Sequence, residues 1–418
     1  MQNDHLATKP IVWRAEDLFN QQAIKIEGGE ICIRYNEVWL RFPPQAQFDL
    51  TQATIFGLNE RLTLAALSPR TDVSGITLRD QFNTEWEKYF EVLESEEKFL
   101  RYGYFVYYPG RKHIVHYSDP YWHKIVSVAS NSMLYNNPEG NLSWREVRQI
   151  FDNTVVGVVG CSVGSNITHN IVMDLRPNNI KIADKVMYKM ENINRVRLTY
   201  SDMVKSSAER SGPMDIGLRN KAEVVADQIN SIDPFVNVYA YTEGITEETL
   251  TTFFDGDGNE PKIDILVEEI DDPQIKLMLR QEARKRKLPL IMASDMGSVV
   301  QVEVERYDLD EKLPLTYGQS DDSLIQAVAD VCDNGSNRKV FFNFVDSLIG
   351  SDYRQGELLK IIEEKCEIPT STIIPQLGST AQASGAIVGE IVARLRLGYQ
   401  YPPRFSFNKN TLEVKIYQ

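Results

Sequence analysis

Cysteine is scarce in this sequence. Cys32, Cys161, Cys332 and Cys366 are its only four in 418 residues, and no two form a Cys-x-x-Cys pair. That spacing excludes a paired-cysteine zinc site and offers no disulfide framework. His113, His116 and His123 have no acidic cluster at ligand spacing beside them, so they do not read as a metal site either. Basic charge is also short, with 45 Lys and Arg against 59 Asp and Glu, a net charge of −14. A phosphate backbone calls for a basic face, so no nucleic-acid partner is expected. No run approaches the ~18 apolar residues of a membrane span. The opening MQNDHLATKP has no basic-then-apolar signal, so a cytoplasmic location without a membrane partner is the expectation. Internal repeats and low-complexity segments are absent as well. What remains is a chain with 42% hydrophobic residues, long enough for two domains or one enlarged α/β domain.

The first part of the chain reads as mixed. Residues 1–19 suggest a leader or short helix. Ala23 to Phe42 alternates apolar and polar residues about Gly28-Gly29, the pattern of a hairpin or small meander, and Pro43-Pro44 stops it. Apolar residues at helical spacing predict a helix over Leu78 to Arg101. Tyr102 to Tyr108 and His113 to Tyr117 flank Pro109-Gly110 as a second hairpin, and a helix follows Asp119-Pro120. Ser143-x-x-Glu146 is a capping box that starts a further helix. The expected organisation is an α+β domain over 1–142, serving as core or as a substrate clamp or docking module, and a nucleotide-binding domain over 143–418.

The second part is organised around Val155 to Arg197. Val155, Val156, Val158 and Val159 read as a strand buried on both faces. Gly160-Cys161-Ser162-Val163-Gly164-Ser165 is a turn of small residues opening a helix, and Ile180 to Ala183 is a strand ending in Asp184. Such a turn lets backbone N–H groups approach phosphate, and the acid at the next strand end can bond ribose hydroxyls. Strands and helices then alternate: Lys221 to Ile232, Val236 to Tyr239, Ile263 to Val267, Pro273 to Lys287, Pro289 to Ala293 and Val299 to Tyr307. The alternation predicts a doubly wound, mostly parallel Rossmann-like α/β sheet.

Further motifs follow in fixed order: Asn192-Ile193-Asn194-Arg195, Asp215-Ile216-Gly217 with Lys221, and Glu268-Glu269-Ile270-Asp271-Asp272. With these, Val155 to Leu397 resembles the ThiF-type adenylyltransferases, the superfamily of ubiquitin-activating, molybdopterin-synthase-activating and thiamine sulfur-carrier-activating enzymes. The Gly-x-Ser-Val-Gly turn and Glu-Glu-x-Asp strand end are similar to those of a bacterial branch of it. The resemblance implies ATP-dependent activation of a carboxylate, on a peptide, a small protein or a small acid, with release of pyrophosphate. It places Gly160, Ser162, Gly164 and Ser165 at the nucleotide turn, Asp184 on the ribose, and Asn192, Asn194, Arg195 and Lys221 on the phosphates. Arg195, Lys221 and Asp271 would be the catalytic residues, with Asp271 holding Mg²⁺. It also implies a homodimer. Four features of these motifs depart from the superfamily pattern: the turn is one residue short, Val186 replaces a second acid, Lys221 sits one residue further from Gly217 than usual, and Ser130 to Tyr135 lacks the arginine usually donated across the dimer. Arg145 and Arg148 are the substitutes nearest in sequence.

Two other classes stay open at this point: an NAD(P)-dependent oxidoreductase, which Asp184 alone would allow, and a nucleotide-binding interaction module without turnover. Cys332, expected in a loop, is the candidate for a later thiol step.

Overall fold

The computed structural model describes residues 10–14, 24–27, 30–35, 38–42, 77–80, 104–108, 113–117, 121–134, 142–205, 217–334, 337–350 and 376–417. The chain divides into two compact units, Met1–Ser130 and Asn131–Gln418. In the first unit, β1 (Ile11–Arg14), β2 (Ile24–Glu27), β3 (Glu30–Tyr35), β4 (Val38–Phe42), β5 (Thr77–Asp80), β6 (Tyr104–Tyr108) and β7 (His113–Tyr117) form two sheets. The expected meander is β2-β3-β4, and the second hairpin is β6-β7 in a four-stranded sheet ordered β1-β6-β7-β5. Two expectations change. Ile11–Arg14 pairs with β6 as a strand, not a helix. Thr77–Asp80 pairs parallel to β7, so cross-strand bonding overrides the local helical spacing there; residues 81–101 of that expected helix lie outside the described residues. Helix α1 (Tyr121–Leu134) spans the boundary between the units.

The second unit opens with α2 (Trp144–Asp152), whose capping box is present: Ser143 N donates to Glu146 Oε2 at 2.7 Å. The chain continues through β8 (Val155–Val159), α3 (Val163–Leu175), β9 (Asn179–Ala183), a 3₁₀ turn Met190–Asn194, α4 (Lys221–Ile232), β10 (Asn237–Tyr241), α5 (Glu247–Asp255) and β11 (Ile265–Glu268). It closes with α6 (Pro273–Lys285), β12 (Pro289–Met296), β13 (Val299–Arg306), α7 (Asp321–Asn334), α8 (Arg338–Ile349), α9 (Gly378–Arg396), β14 (Arg404–Asn408) and β15 (Glu413–Ile416). One eight-stranded sheet runs β10-β9-β8-β11-β12-β13-β14-β15. The pairings from β10 to β12 are parallel, while β12 to β15 form an antiparallel meander. The sheet is thus mostly parallel, and its central strands β8 and β11 are covered on both faces.

Its central strand shows why. All five residues of β8 are buried. Val155 and Val159 belong to a core with Phe253, Leu279, Leu324 and Phe344 from α5 to α8. On the other face Val158 meets α3, for a Cβ on Gly164 would stand 3.1 Å from Val158 Cγ1. Each fully buried valine contributes about 1.5–3 kcal/mol by leaving water. Helix α9 lies along α3, its Gly385 and Gly389 sitting against Asn166 and Asn170. The strand order reverses between β8 and β11, so the ends of β8, β9 and β11 open onto one crevice, the usual ligand position of such sheets.

Candidate functional site

The crevice is built on a crossing of two strand ends. Gly160 follows β8 with φ +98°, and its N–H donates to Ala183 O at 2.8 Å, which ties the turn to the end of β9. A Cβ on Gly160 would fall within 2.5 Å of the Glu269 carbonyl carbon, so glycine is required by both conformation and space. Cys161 N and Val186 N each donate to Asp184, to Oδ2 and Oδ1, both at 2.8 Å. Asp184 is buried, and Lys221 Nζ at the start of α4 stands 3.9 Å from Oδ2. Tyr188 OH donates to Cys161 O at 3.0 Å, completing the back of the turn. Burial, and next the Asp184 charge, push the Cys161 thiol well up, so it is a packing group without thiolate character.

Ser162 N-caps α3 and accepts Arg195 Nε on its Oγ at 3.0 Å. Ser165 Oγ donates to Ser162 O at 2.8 Å and is buried. Asn166 Nδ2 donates to Arg195 O at 2.9 Å, so α3 holds both ends of the arginine. Asn192 is buried, and its Oδ1 accepts Lys189 N at 2.9 Å; it shapes the 3₁₀ turn from within. Asn194 is exposed, with Nδ2 3.5 Å from Gln376 O ahead of α9. Of the Asp215-Ile216-Gly217 motif only Gly217 is described, at φ +72°. Lys205 N donates to its carbonyl.

At the end of β11 the acids divide. Glu268 is fully buried between Lys276, at 2.5 Å, and Arg280, at 3.3 Å. Glu269 accepts Ala293 N at 2.8 Å on Oε1, and burial holds its carboxyl well above the usual range. Asp271 is exposed at the mouth of the crevice, and Asp272 N-caps α6. Gly160, Ser162, Gly164, Ser165, Asp184, Arg195 and Lys221 therefore come together around the strand ends, Asp271 lies on the loop leaving β11, and Asn192 supports from behind.

Sequence reasoning missed two groups here. Asp295 near the end of β12 is buried and accepts the hydroxyl of Ser384 on α9; burial raises its carboxyl to about 6 against the Ser384 bond and the charges of Lys409 and Arg195. The signal available was an acid within an apolar strand, Met292-Ala293-Ser294-Asp295. Other expectations are revised. Cys332 is exposed in the last turn of α7, not in a loop, because Leu324, Val328 and Val331 bury one helical face. Arg148 is buried rather than solvated, donating to Asp152 and to Arg176 O at 2.9 Å each. Arg145 stacks on Trp144, 4.6 Å from the ring centroid.

The ThiF family model matches residues 143–308. The uncharacterized protein MT1398 of Mycobacterium tuberculosis (strain CDC 1551 / Oshkosh) is 35% identical over 164 residues, 39% of this chain and 20% of that protein. The match thus spans about a fifth of the length of that curated relative. Among solved structures, selenomethionine PaaA aligns with a TM-score of 0.46 at 14% identity, over 71% of this chain and 82% of its own. E. coli MccB with ATP aligns with a TM-score of 0.42 at 14% identity, over 75% of this chain and 91% of its own. From the capping box ahead of α2 to just past β13, residues 143–308 of this chain match a ThiF family domain.

Proposed function

We propose that the chain adenylates a carboxylate with ATP and Mg²⁺, releasing pyrophosphate. The observation that carries this reading is the Arg195–Ser162 bond. It draws a guanidinium onto the first turn of α3, beside a glycine turn whose backbone Asp184 already shapes. A helix start alone would also take the pyrophosphate of a dinucleotide; the added arginine and lysine at the same strand end suit the higher charge of a triphosphate. In this reading the N–H groups after Cys161, whose own N–H is taken by Asp184, receive phosphate oxygens. Arg195 and Lys221 neutralise charge as the substrate carboxylate attacks the α-phosphate and pyrophosphate departs. Asp184 keeps its acceptor capacity toward the ribose beyond the two N–H bonds it takes.

Asp271 fits Mg²⁺ as an exposed carboxylate at the crevice mouth. Among the described residues no group of three or more His, Cys, Asp and Glu converges on a metal position. The remaining ligands would come from phosphate oxygens and water, the usual manner for this ion. When bound, the ion supplies charge neutralisation at the phosphates. The activated group is proposed to be the carboxylate of a peptide, small protein or small acid. The assembly is proposed to be a homodimer, checked by sedimentation velocity over a hundredfold concentration range; a monomer throughout would oppose it.

The test is ATP–pyrophosphate exchange with Mg²⁺ and a panel of free peptides and small acids. Carboxylate-dependent exchange is the expected outcome. ATP binding without exchange would leave a non-catalytic nucleotide module, and tight NAD⁺ binding without ATP binding would sink the reading.

A further inference from the structure

The two edges of the eight-stranded sheet are finished differently. At one edge every residue of β10 is buried or half-buried, and Tyr241 OH donates to Glu260 from the loop after α5. At the other edge all four residues of β15 are exposed, Val414 by 63% and Ile416 by 58%. An open edge is a row of unpaired N–H and C=O groups that a further strand can take up.

Two bonds fix which backbone groups of β15 point outward. Val304 N donates to Pro403 O at 2.9 Å, and Tyr417 N donates to Arg404 O at 3.0 Å. In antiparallel ladders the hydrogen-bonded pairs alternate. Phe405 and Phe407 therefore turn their backbone to β13, and Arg404, Ser406 and Asn408 turn theirs to β15. Their partners Tyr417, Lys415 and Glu413 face back to β14. Val414 and Ile416 are left with N–H and C=O directed away from the sheet. The side chains of these two share a face with Phe407 and Phe405, so an apolar strip runs out to the edge. Glu413 and Lys415 are exposed on the other face, Lys415 lying over the Tyr417 ring at 4.5 Å. Leu412, at φ +58°, ends the strand.

We propose that a second copy of this chain takes up that edge, β15 against β15, antiparallel about a twofold axis at Val414, joining the two sheets into one. Outward-facing residues must meet outward-facing residues, and charge then selects the register. Centred on Val414, the two valines exchange N–H···O bonds, and Glu413 of each chain stands opposite Lys415 of the partner subunit. That position is a non-hydrogen-bonded one, where Cα atoms approach to about 4.5 Å and side chains are closest. Centring on Glu413 or on Lys415 instead sets that residue against its own copy, and like charges directly opposite are unfavourable. A twofold contact uses both edges and closes, so it gives a dimer and not a fibre. With four strand residues on each side the contact is small, and the dimer is a weak, concentration-dependent one. Of the proposed function this inference takes up only the homodimer; it needs no nucleotide.

Sedimentation velocity on the full chain tests this, with circular dichroism to establish that each variant is folded. The wild-type chain is expected to dimerise as its concentration rises. Glu413→Lys and Lys415→Glu each set like charges in both cross-strand pairs. Either one alone is expected to weaken the dimer by roughly tenfold or more. Mixed in equal amounts, the two variants restore both attractions, and a heterodimer as tight as the wild-type dimer should form. Val414→Pro removes an outward N–H that β14 does not use, and should abolish association. Charge reversals that leave the dimer unchanged place the contact elsewhere; they overturn the proposal while the homodimer itself stands. A wild-type monomer at every concentration overturns it, and so do variants that separate but do not recombine. Pyrophosphate exchange on the same samples bears only on adenylation, so the two readings fail separately.

Discussion

Gly160→Ala tests the crossing on which the crevice is built. Two terms add at this position. An alanine held at φ +98° carries backbone strain of about 1–3 kcal/mol. Its methyl would also press on the Glu269 carbonyl, which is main chain and cannot rotate away, so the end of β11 must shift. Forced repacking of that kind costs about 1–3 kcal/mol. The sum is a loss of about 2–6 kcal/mol. Gly164→Ala is the control, four residues on. That position is helical, its nearest neighbour is a valine methyl at 3.1 Å, and alanine gains up to about 1 kcal/mol of helix propensity. Its net change should stay within about 1 kcal/mol. Because the chain has two compact units, the assay is amide hydrogen exchange in peptides covering β8 and β11, which reads the stability of this sheet alone. Gly160→Ala within ~0.5 kcal/mol of wild type would refute the reasoning, since neither strain nor overlap would then be real.

The remaining predictions concern chemistry and pH. Arg195→Ala should lower pyrophosphate exchange by ~10²–10³, and Arg195→Lys should restore only part, because the planar fork is lost; wild-type exchange in the alanine variant would remove Arg195 from the site. Asp271→Ala should abolish Mg²⁺-dependent exchange while leaving the melting temperature within a few degrees, as this side chain is exposed. A collapse of the fold would contradict that. Burial first, then the charge of Glu303, lift the Glu305 carboxyl from 4.5 to about 7. The folded chain thus binds a proton that the unfolded chain releases. The stabilisation is fully present below about pH 4.5 and is lost as pH rises to about 7, by at most roughly 3 kcal/mol. Glu305→Gln should flatten that slope of melting temperature between pH 4.5 and 7.5, and an unchanged slope would count against it.

The parallel half of the sheet was legible because its strands are short apolar runs between turn signals, and most are followed by a helix. The predicted Lys221 to Ile232 helix matches α4, and Val155–Val159 was readable from its valines. The antiparallel meander was less so. β14 and β15 lie beyond a long helix, and β14 pairs with β13 roughly a hundred residues away in sequence, which no local pattern announces. Buried charge hid for a related reason. Nothing local marks Lys276, Arg280 and Glu303 as interior, yet each is buried and neutralised by partners from other elements. Cys332 misled because Asp333, Asn334 and Gly335 after it look like a turn, whereas the apolar spacing before it decides the helix. Of the site, the glycine turn, Asp184, Arg195 and Lys221 were readable from motif order. Asp295 and Ser384 were not, because their meaning comes only from meeting across 89 positions.

The packing of α9 along α3 has a consequence during synthesis. Leu175 ends the helix that follows the glycine turn, and Gly378 begins the one that holds Asn166 and approaches Asn194. About two hundred residues separate them, which a ribosome adding ~5–20 residues per second delivers only after roughly 10–40 seconds. Through that interval the buried face of α3 that α9 later covers has no partner, and Asn166 lacks the donor that pins it. A nascent chain stalled before residue 378 would therefore show apolar helix surface to chaperones, and its glycine turn would mature only once α9 has emerged.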